Sequence, residues 1–151
     1  MILPDVNLLV YAYMDAGWQY APARQWWLAA LNGEETIGLC LPSLFGFIRL
    51  TTNRRIFKVP LGVEQSISHV ESWLARPQVE LLHPGPRHLE MAFGMLRATG
   101  LAGDLTTDAQ IAAIAIESQG DLYSSDTDFG RFAGLRWVNP LARPPSGPAG
   151  R

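Results

Sequence analysis

The seven aspartates of this 151-residue chain fall only near its two ends. Asp5 and Asp15 lie in the first segment, and Asp104, Asp108, Asp121, Asp126 and Asp128 lie late. Carboxylates brought together repel one another: two of them about 5 Å apart cost about 3 kcal/mol at an effective dielectric of about 20. A whole domain is stable by only about 5–15 kcal/mol. Three or four converging acids therefore take up protons or weaken the fold unless a cation joins them. Ligation by oxygen alone suits Mg²⁺ or Mn²⁺ better than zinc. Such ions serve phosphodiester hydrolysis by activating water and by neutralising charge that develops on phosphate oxygens.

Each acid also fits an ordinary structural role. Asp5 is placed to cap the first helix, as is Asn7. Asp108, in a first turn, favours the helix dipole whatever else it does. Asp104 reads equally as a loop or N-cap residue. In "SSDTDFGRF", Ser124 to Phe132, Asp128 suits the cap of the short "FGRF" turn, while Asp15 and Asp121 read as solvent-facing ends of elements. Residue type alone leaves these alternatives open, so the elements that position the acids have to be worked out.

Met1 to Pro4 reads as a short strand, and "NLLVYAYM" as a helix over about Asn7–Asp15, apolar on nearly every side and hence buried. A second helix is expected over Pro22–Leu31, stopped by Asn32-Gly33. "TIGLCLP" is a strand, Ser43–Thr52 a helix and "TTNRRIFKVPLG" a loop. Val63–Ala75 is amphipathic, with Ile67, Val70, Trp73 and Leu74 on one side. "VELL" is a strand, "HPGP" a turn and Arg87–Thr99 a helix. "TTDAQIAAIAIESQG" is a small-residue helix able to lie close to a sheet, followed by strands at "DLYSS" and "LRWVN". Strands alternating with helices predict an α/β fold with a mainly parallel sheet, built from residues 1–141. Residues 142–151, "ARPPSGPAGR", read as a disordered Pro/Gly-rich tail. In open parallel sheets, ligands bind beyond the carboxyl ends of the strands. Asp5 follows the first strand, Asp126 follows "DLYSS", and Asp108 opens a helix whose N-terminus faces the same edge. Three separated segments thus deliver acids to one crevice.

The length suits one domain with a real core. A formal charge of −2 excludes a broadly basic coat for nucleic acid but permits a local basic groove. Eleven arginines stand against the single Lys58. Cys40, the only cysteine, sits among apolar neighbours and reads as a buried small hydrophobe, so no intrachain disulfide is possible. The N-terminus lacks a basic leader, and Asp5 interrupts its apolar run. A soluble protein of a reducing compartment, the cytoplasm, is the expectation, with no membrane partner. No serine follows a G-x-S-x-G pattern, and no nucleophilic triad is evident.

"DVNLLVYA", "GFIRLTTNRRIF" and "TTDAQIAAIAIESQGDLYSSDTDFGRFAGLRWVNPL", in this order, resemble a PIN domain, and more narrowly the VapC toxins of bacterial toxin–antitoxin pairs. The similarity runs from Ile2 to Leu141. It implies a three-layer α/β/α sandwich and an Mg²⁺-dependent endoribonuclease, Mn²⁺ being able to substitute. It also implies a homodimer held inactive by a cognate antitoxin protein. Asp5, Asp108 and Asp126 match the family's metal-binding catalytic acids, and Asp128 matches a second acid of the late motif. One position departs: many PIN domains carry Glu in the middle helix, where this chain has Gly46, and no acid occurs between Glu35 and Glu64. Either fewer ligands suffice or Asp104 supplies the missing charge.

An acidic pocket repels RNA unless cations flank it. Arg49, Arg54, Arg55 and Lys58, interleaved with Phe57, offer phosphate contacts and a base platform, or simply a solvated loop. His69, His83 and His88 lack metal-ligand spacing, and Trp18, Trp26 and Trp27 read as core or dimer-interface residues. Two rivals remain. A phospho-receiver domain needs a mid-chain aspartate and a late lysine, and this chain has neither. A catalytically inactive PIN fold that binds RNA or protein draws its support from Gly46.

Overall fold

The computed structural model describes residues 1–141, so the expected tail lies outside the described residues. In chain order the elements are β1 (Ile2–Pro4), α1 (Val6–Tyr13), α2 (Tyr20–Leu31), β2 (Ile37–Cys40), α3 (Leu41–Thr51), α4 (Val63–Leu74), β3 (Val79–Leu82), α5 (His88–Thr99), α6 (Leu105–Glu117), β4 (Asp121–Tyr123) and β5 (Trp137–Val138). A short 3₁₀ turn, Thr127–Arg131, separates the last two strands.

All strand pairings are parallel, in the order β3-β2-β1-β4-β5. Because β1 and β2 are buried along their whole length, they are apolar without alternation. The chain winds outward from β1 through β2 to β3, then crosses back to β4 on the other side of β1. Right-handed crossovers put α1 to α4 on one face of the sheet and α5 with α6 on the other. This is the three-layer α/β/α arrangement expected. The point where winding reverses lies between β1 and β4, where the loops leaving the strands part and open a crevice.

Sequence and packing agree closely in two layers. On one face Trp27, Phe47 and Trp73 are fully buried, with the Trp73 indole edge-on to both other rings. The Trp73 indole N–H donates to the Tyr13 hydroxyl at 2.7 Å, so burial leaves that donor satisfied. On the other face α6 buries Ala109, Ile111, Ala112, Ala113, Ile114 and Ala115, the small residues letting its axis approach the sheet. Two helices start two residues earlier than expected. Pro22 and Pro42 lie inside the first turns of α2 and α3, where a missing N–H costs nothing, so the helices begin earlier than the prolines suggest. Gly100, at φ 67°, closes α5 in the left-handed region.

Candidate functional site: a carboxylate pocket at the strand crossover

Asp5 leaves β1 in extended conformation and caps α1, its Oδ1 accepting from the Val6 N–H at 2.6 Å. Its Oδ2 accepts from the Ser124 hydroxyl at 2.8 Å, reaching across from the end of β4. The Ser124 Oγ in turn accepts from the Asp126 N–H at 3.0 Å. One fully buried serine thus ties the acid after β1 to the acid after β4. The backbone repeats the link, with the Asp5 N–H donating to the Tyr123 carbonyl at 2.9 Å. Ser124 escaped the sequence reading. Its signal was position, the first residue after β4 beside the strand bearing Asp5.

Asp126 also caps the 3₁₀ turn, its Oδ1 accepting from the Asp128 N–H at 2.9 Å. The cap expected of Asp128 therefore belongs to Asp126. Asp128 faces Arg131 instead, at 3.4 Å, and still lines the pocket. Capping and site membership are not exclusive for Asp5 or Asp126, since a carboxylate has lone pairs to spare for a second partner.

The acids of the two chain ends do meet. Asp5, Asp104, Asp108, Asp126 and Asp128 line one open cavity of about 430 Å³, together with Asn7, Arg49 and Thr107. Asp15 stays exposed elsewhere, whereas Asp121, expected in solvent, is half-buried and bonded to Arg136 at 2.6 Å. Burial pushes the Asp5 carboxyl up to about 6 against the opposing hydrogen bonds from Ser124 and Val6, and the Asp126 charge adds to the rise. Asp108, in the first turn of α6, is pushed up to about 7 by burial and then by the charges of Asp5, Asp126, Asp128 and Asp104. Mutual repulsion among oxygen-only donors is the condition a hard divalent cation relieves, and in this respect the residues fit one. Among the described residues, however, no three acid, His or Cys side chains close on a single point as a finished ligand set. The acids ring a pocket.

Gly46 is buried in α3, and a Cβ there would stand 3.0 Å from both Cγ1 and Cγ2 of Val6. The side chain following Asp5 thus fills the place where a middle-helix acid would begin. Of the four cations in "RLTTNRRIFK", only Arg49 lines the acid cavity. Lys58 lines a neighbouring groove, and Arg54 and Arg55 are exposed in the loop between α3 and α4, on neither wall. Cys40 is buried as expected, its thiol pushed up chiefly by burial. His69 packs on Tyr13, and Trp27 is core, while Trp18 is largely exposed. No helix of the described residues is long and apolar enough to cross a membrane.

An open parallel sheet with a ring of carboxylates at its crossover defines an α/β domain whose acids converge at one edge of the sheet. The chain belongs to the PIN-domain family, whose model matches residues 2–135, and within it sits with the VapC ribonucleases. It is 48% identical over 141 residues to ribonuclease VapC33 of Mycobacterium tuberculosis, covering 93% of this chain and 99% of that one. Ribonuclease VapC37 of the same organism is 37% identical over 142 residues, covering 94% and 99%. Among solved structures, Mycobacterium tuberculosis VapC20, described as a Sarcin-Ricin loop cleaving toxin, superposes with a TM-score of 0.68 at 18% identity. That match covers 89% of this chain and 96% of that one. VapBC2 from Rickettsia felis, bound to a promoter DNA fragment, gives 0.62 at 24% identity, covering 92% and 98%. At these identities the structures bear on the fold.

Proposed function

We propose that this protein is an endoribonuclease, the toxin of a type II toxin–antitoxin pair, which hydrolyses RNA phosphodiester bonds with a divalent cation, Mg²⁺ or Mn²⁺. The observation that carries the reading is the Ser124 bridge, which holds Asp5 and Asp126 together at the crossover opposite Asp108. Asp5, Asp108 and Asp126 are the residues that would hold the cation, with Asp128 and Asp104 on the rim of the same cavity. When bound, such an ion makes water more acidic and neutralises charge gathering on the phosphate oxygens.

The chain's own residues do the rest. The Ser124 and Val6 bonds fix the Asp5 carboxylate in one orientation and leave lone pairs for the pocket. Asp108, raised to about 7 by burial and by the neighbouring acids, is the carboxyl with most to gain from a cation in the pocket. Arg49, across the cavity, supplies the positive charge that draws a phosphate toward acids that would otherwise repel it. Asp104 is the acid proposed to compensate for Gly46, since it lines the same cavity and its charge reaches Asp108. RNA, a cognate antitoxin protein and a second copy of this chain are the proposed partners, in the cytoplasm. The antitoxin reading draws on structural neighbours that are toxin–antitoxin complexes.

The test is cleavage of structured RNAs by purified protein with Mg²⁺ or Mn²⁺, set against EDTA and Asp5→Asn. Cleavage that survives chelation or the substitution refutes the cation reading. RNA binding without cleavage by the native protein identifies the inactive binding module that Gly46 favours.

A further inference from the structure

Ser124 has no hydrogen-bonding group left to spare. Its hydroxyl donates to Asp5 and accepts from the Asp126 N–H. Its own N–H donates to the Val138 carbonyl at 3.0 Å, and its carbonyl accepts from the Trp137 indole N–H at 2.9 Å. The last of these bonds is out of pattern. In a parallel ladder, a residue that donates to one carbonyl of its neighbour accepts from the N–H two residues further along. Leu122 lies opposite Trp137 and Tyr123 opposite Val138, so the Ser124 carbonyl is due the N–H of residue 140. That residue is Pro140, which has none. Asn139 does not stand in, since its side-chain carbonyl accepts from the Leu141 N–H at 3.0 Å. Trp137 supplies the donor from its side chain instead. The same half-buried indole reaches the 3₁₀ turn, where a Cβ on Gly130 would stand 3.5 Å from Cζ3 of the ring. Asp126 caps that turn and Asp128 lies in it. One ring therefore touches both the residue that bridges Asp5 to Asp126 and the turn that carries Asp128.

We infer that Trp137 is a positioning residue of the carboxylate site, holding the Ser124 peptide so that its hydroxyl keeps Asp5 and Asp126 at a fixed spacing. The inference rests on the nuclease reading above and deepens it, by naming a residue outside the cavity lining that sets the cavity's geometry. Without the indole donor, a carbonyl sealed from water lacks its bond, and the Ser124 peptide turns to find another. Ser124 is fully buried, and its hydroxyl and carbonyl belong to one residue, so such a rotation carries the bridge with it. β5 has only two residues. Its ladder ends one step short of the site, and the indole bond adds that step. Trp137 acts through Ser124 and touches no reacting atom.

The experiment compares the full chain with Trp137→Phe, which keeps an aromatic ring against Gly130 and loses the donor. Amide exchange followed by NMR, without cation or RNA, should show the Asp126 N–H exchanging faster in the variant while the amides of α6 stay as they were. Mn²⁺ affinity by calorimetry and kcat on RNA should each fall about tenfold, the low end of what an outer partner of a metal ligand is worth. KM should hold, because misplaced acids cost the transition state and not the bound substrate. Trp137→Phe/Pro140→Ala returns a backbone N–H to the Ser124 carbonyl and should recover most of these losses, which a ring that only packs would not allow. Exchange at Asp126, Mn²⁺ affinity and kcat all equal to the native values in folded Trp137→Phe overturn the inference. So do losses that follow only the unfolded fraction measured in urea. If the native protein cuts no RNA, yet exchange at Asp126 and Mn²⁺ affinity respond to Trp137→Phe and recover with Pro140→Ala, the positioning role stands and the nuclease reading falls.

Discussion

Asp5→Asn should make the cation-free protein more stable at neutral pH while removing activity. Asp5 is raised from 3.8 to about 6 by burial, partly offset by its hydrogen bonds. That is about two pKa units, or about 3 kcal/mol at 1.36 kcal/mol per unit. Below pH about 4 the group is protonated both folded and unfolded, and no penalty exists. As pH rises toward 6 the unfolded chain releases its proton first, so folding stability falls. Above the folded value the penalty is full and constant. Asparagine is a comparable N-cap, so its carbonyl keeps the Val6 N–H, and its amide can donate to the Ser124 oxygen. The variant therefore loses the charge and keeps the Val6 bond, while the bond to Ser124 reverses direction.

The gap between variant and native protein should grow from near zero at pH 4 to about 3 kcal/mol at pH 7.5 in EDTA. For a domain of this size that is about 6–12 °C in melting temperature. Asp108 is raised in the same direction to about 7, but it is half-exposed and solvent screening reduces its share. Adding Mg²⁺ should close most of the gap: a ligand at a hundred times its Kd stabilises the native protein by about 2.7 kcal/mol, while the variant responds little. Differential scanning fluorimetry across pH, with and without the ion, reads all of this. A variant less stable than the native protein at pH 7.5, or a gap that does not change with pH, refutes the reasoning.

Ser124→Ala removes the donor to Asp5 and the acceptor for the Asp126 N–H. It should cost about 1–3 kcal/mol by urea unfolding and move the acid limb of the rate–pH profile upward, because Asp5 loses a bond that favours its charged form. Gly46→Ala should destabilise by about 1–3 kcal/mol despite alanine's better helix propensity, with recovery in Val6→Ala/Gly46→Ala; Val6 is β-branched and cannot swing both methyls away. Arg49→Ala should raise KM for RNA and flatten the salt dependence of binding by about one phosphate contact in a titration from low to high salt. Asp104→Asn should lower Mn²⁺ affinity measured by calorimetry, and unchanged affinity together with unchanged cleavage would remove Asp104 from the site.

How far the sequence carries the fold depends on the scale of the feature. Strands β1 and β2 are legible because burial on both faces leaves no room for polar residues, and α6 because its alanines and isoleucines have one use, close packing on a sheet. The convergence of Asp5, Asp108 and Asp126 is legible for the same reason: parallel strands place their following loops at one edge. Ser124 is not, since one serine beside another carries no pattern; it acts only because β4 lies next to β1 in register, Pro4 opposite Tyr123. Nor is the division between Asp126 and Asp128. Either can accept an N–H two residues on, and the extended backbone of Asp126, φ −82° and ψ 117°, decides it. The cations are the least legible. Arg49 sits on α3 facing the acids, whereas Arg54 and Arg55 lie five and six residues on in a loop whose course no periodicity sets.

The missing middle-helix acid and the valine after Asp5 are one feature seen from two sides. Val6 must be small enough to let Asp5 cap α1 and apolar enough to bury, and it is buried with 8% of its surface exposed. Its two methyls occupy the space above Gly46, so α3 and α1 close on each other through a residue without a side chain. A carboxylate introduced there would need that packing to open and would add another charge to acids already raised to about 6 and about 7. The fold has instead placed its remaining acids on the open side, where Asp104 is exposed and Asp128 is shared with Arg131. Repulsion there is screened by water. The arrangement keeps a tight contact between α1 and α3 where a middle-helix acid would begin, and it leaves the acid cavity open with Arg49 on its wall.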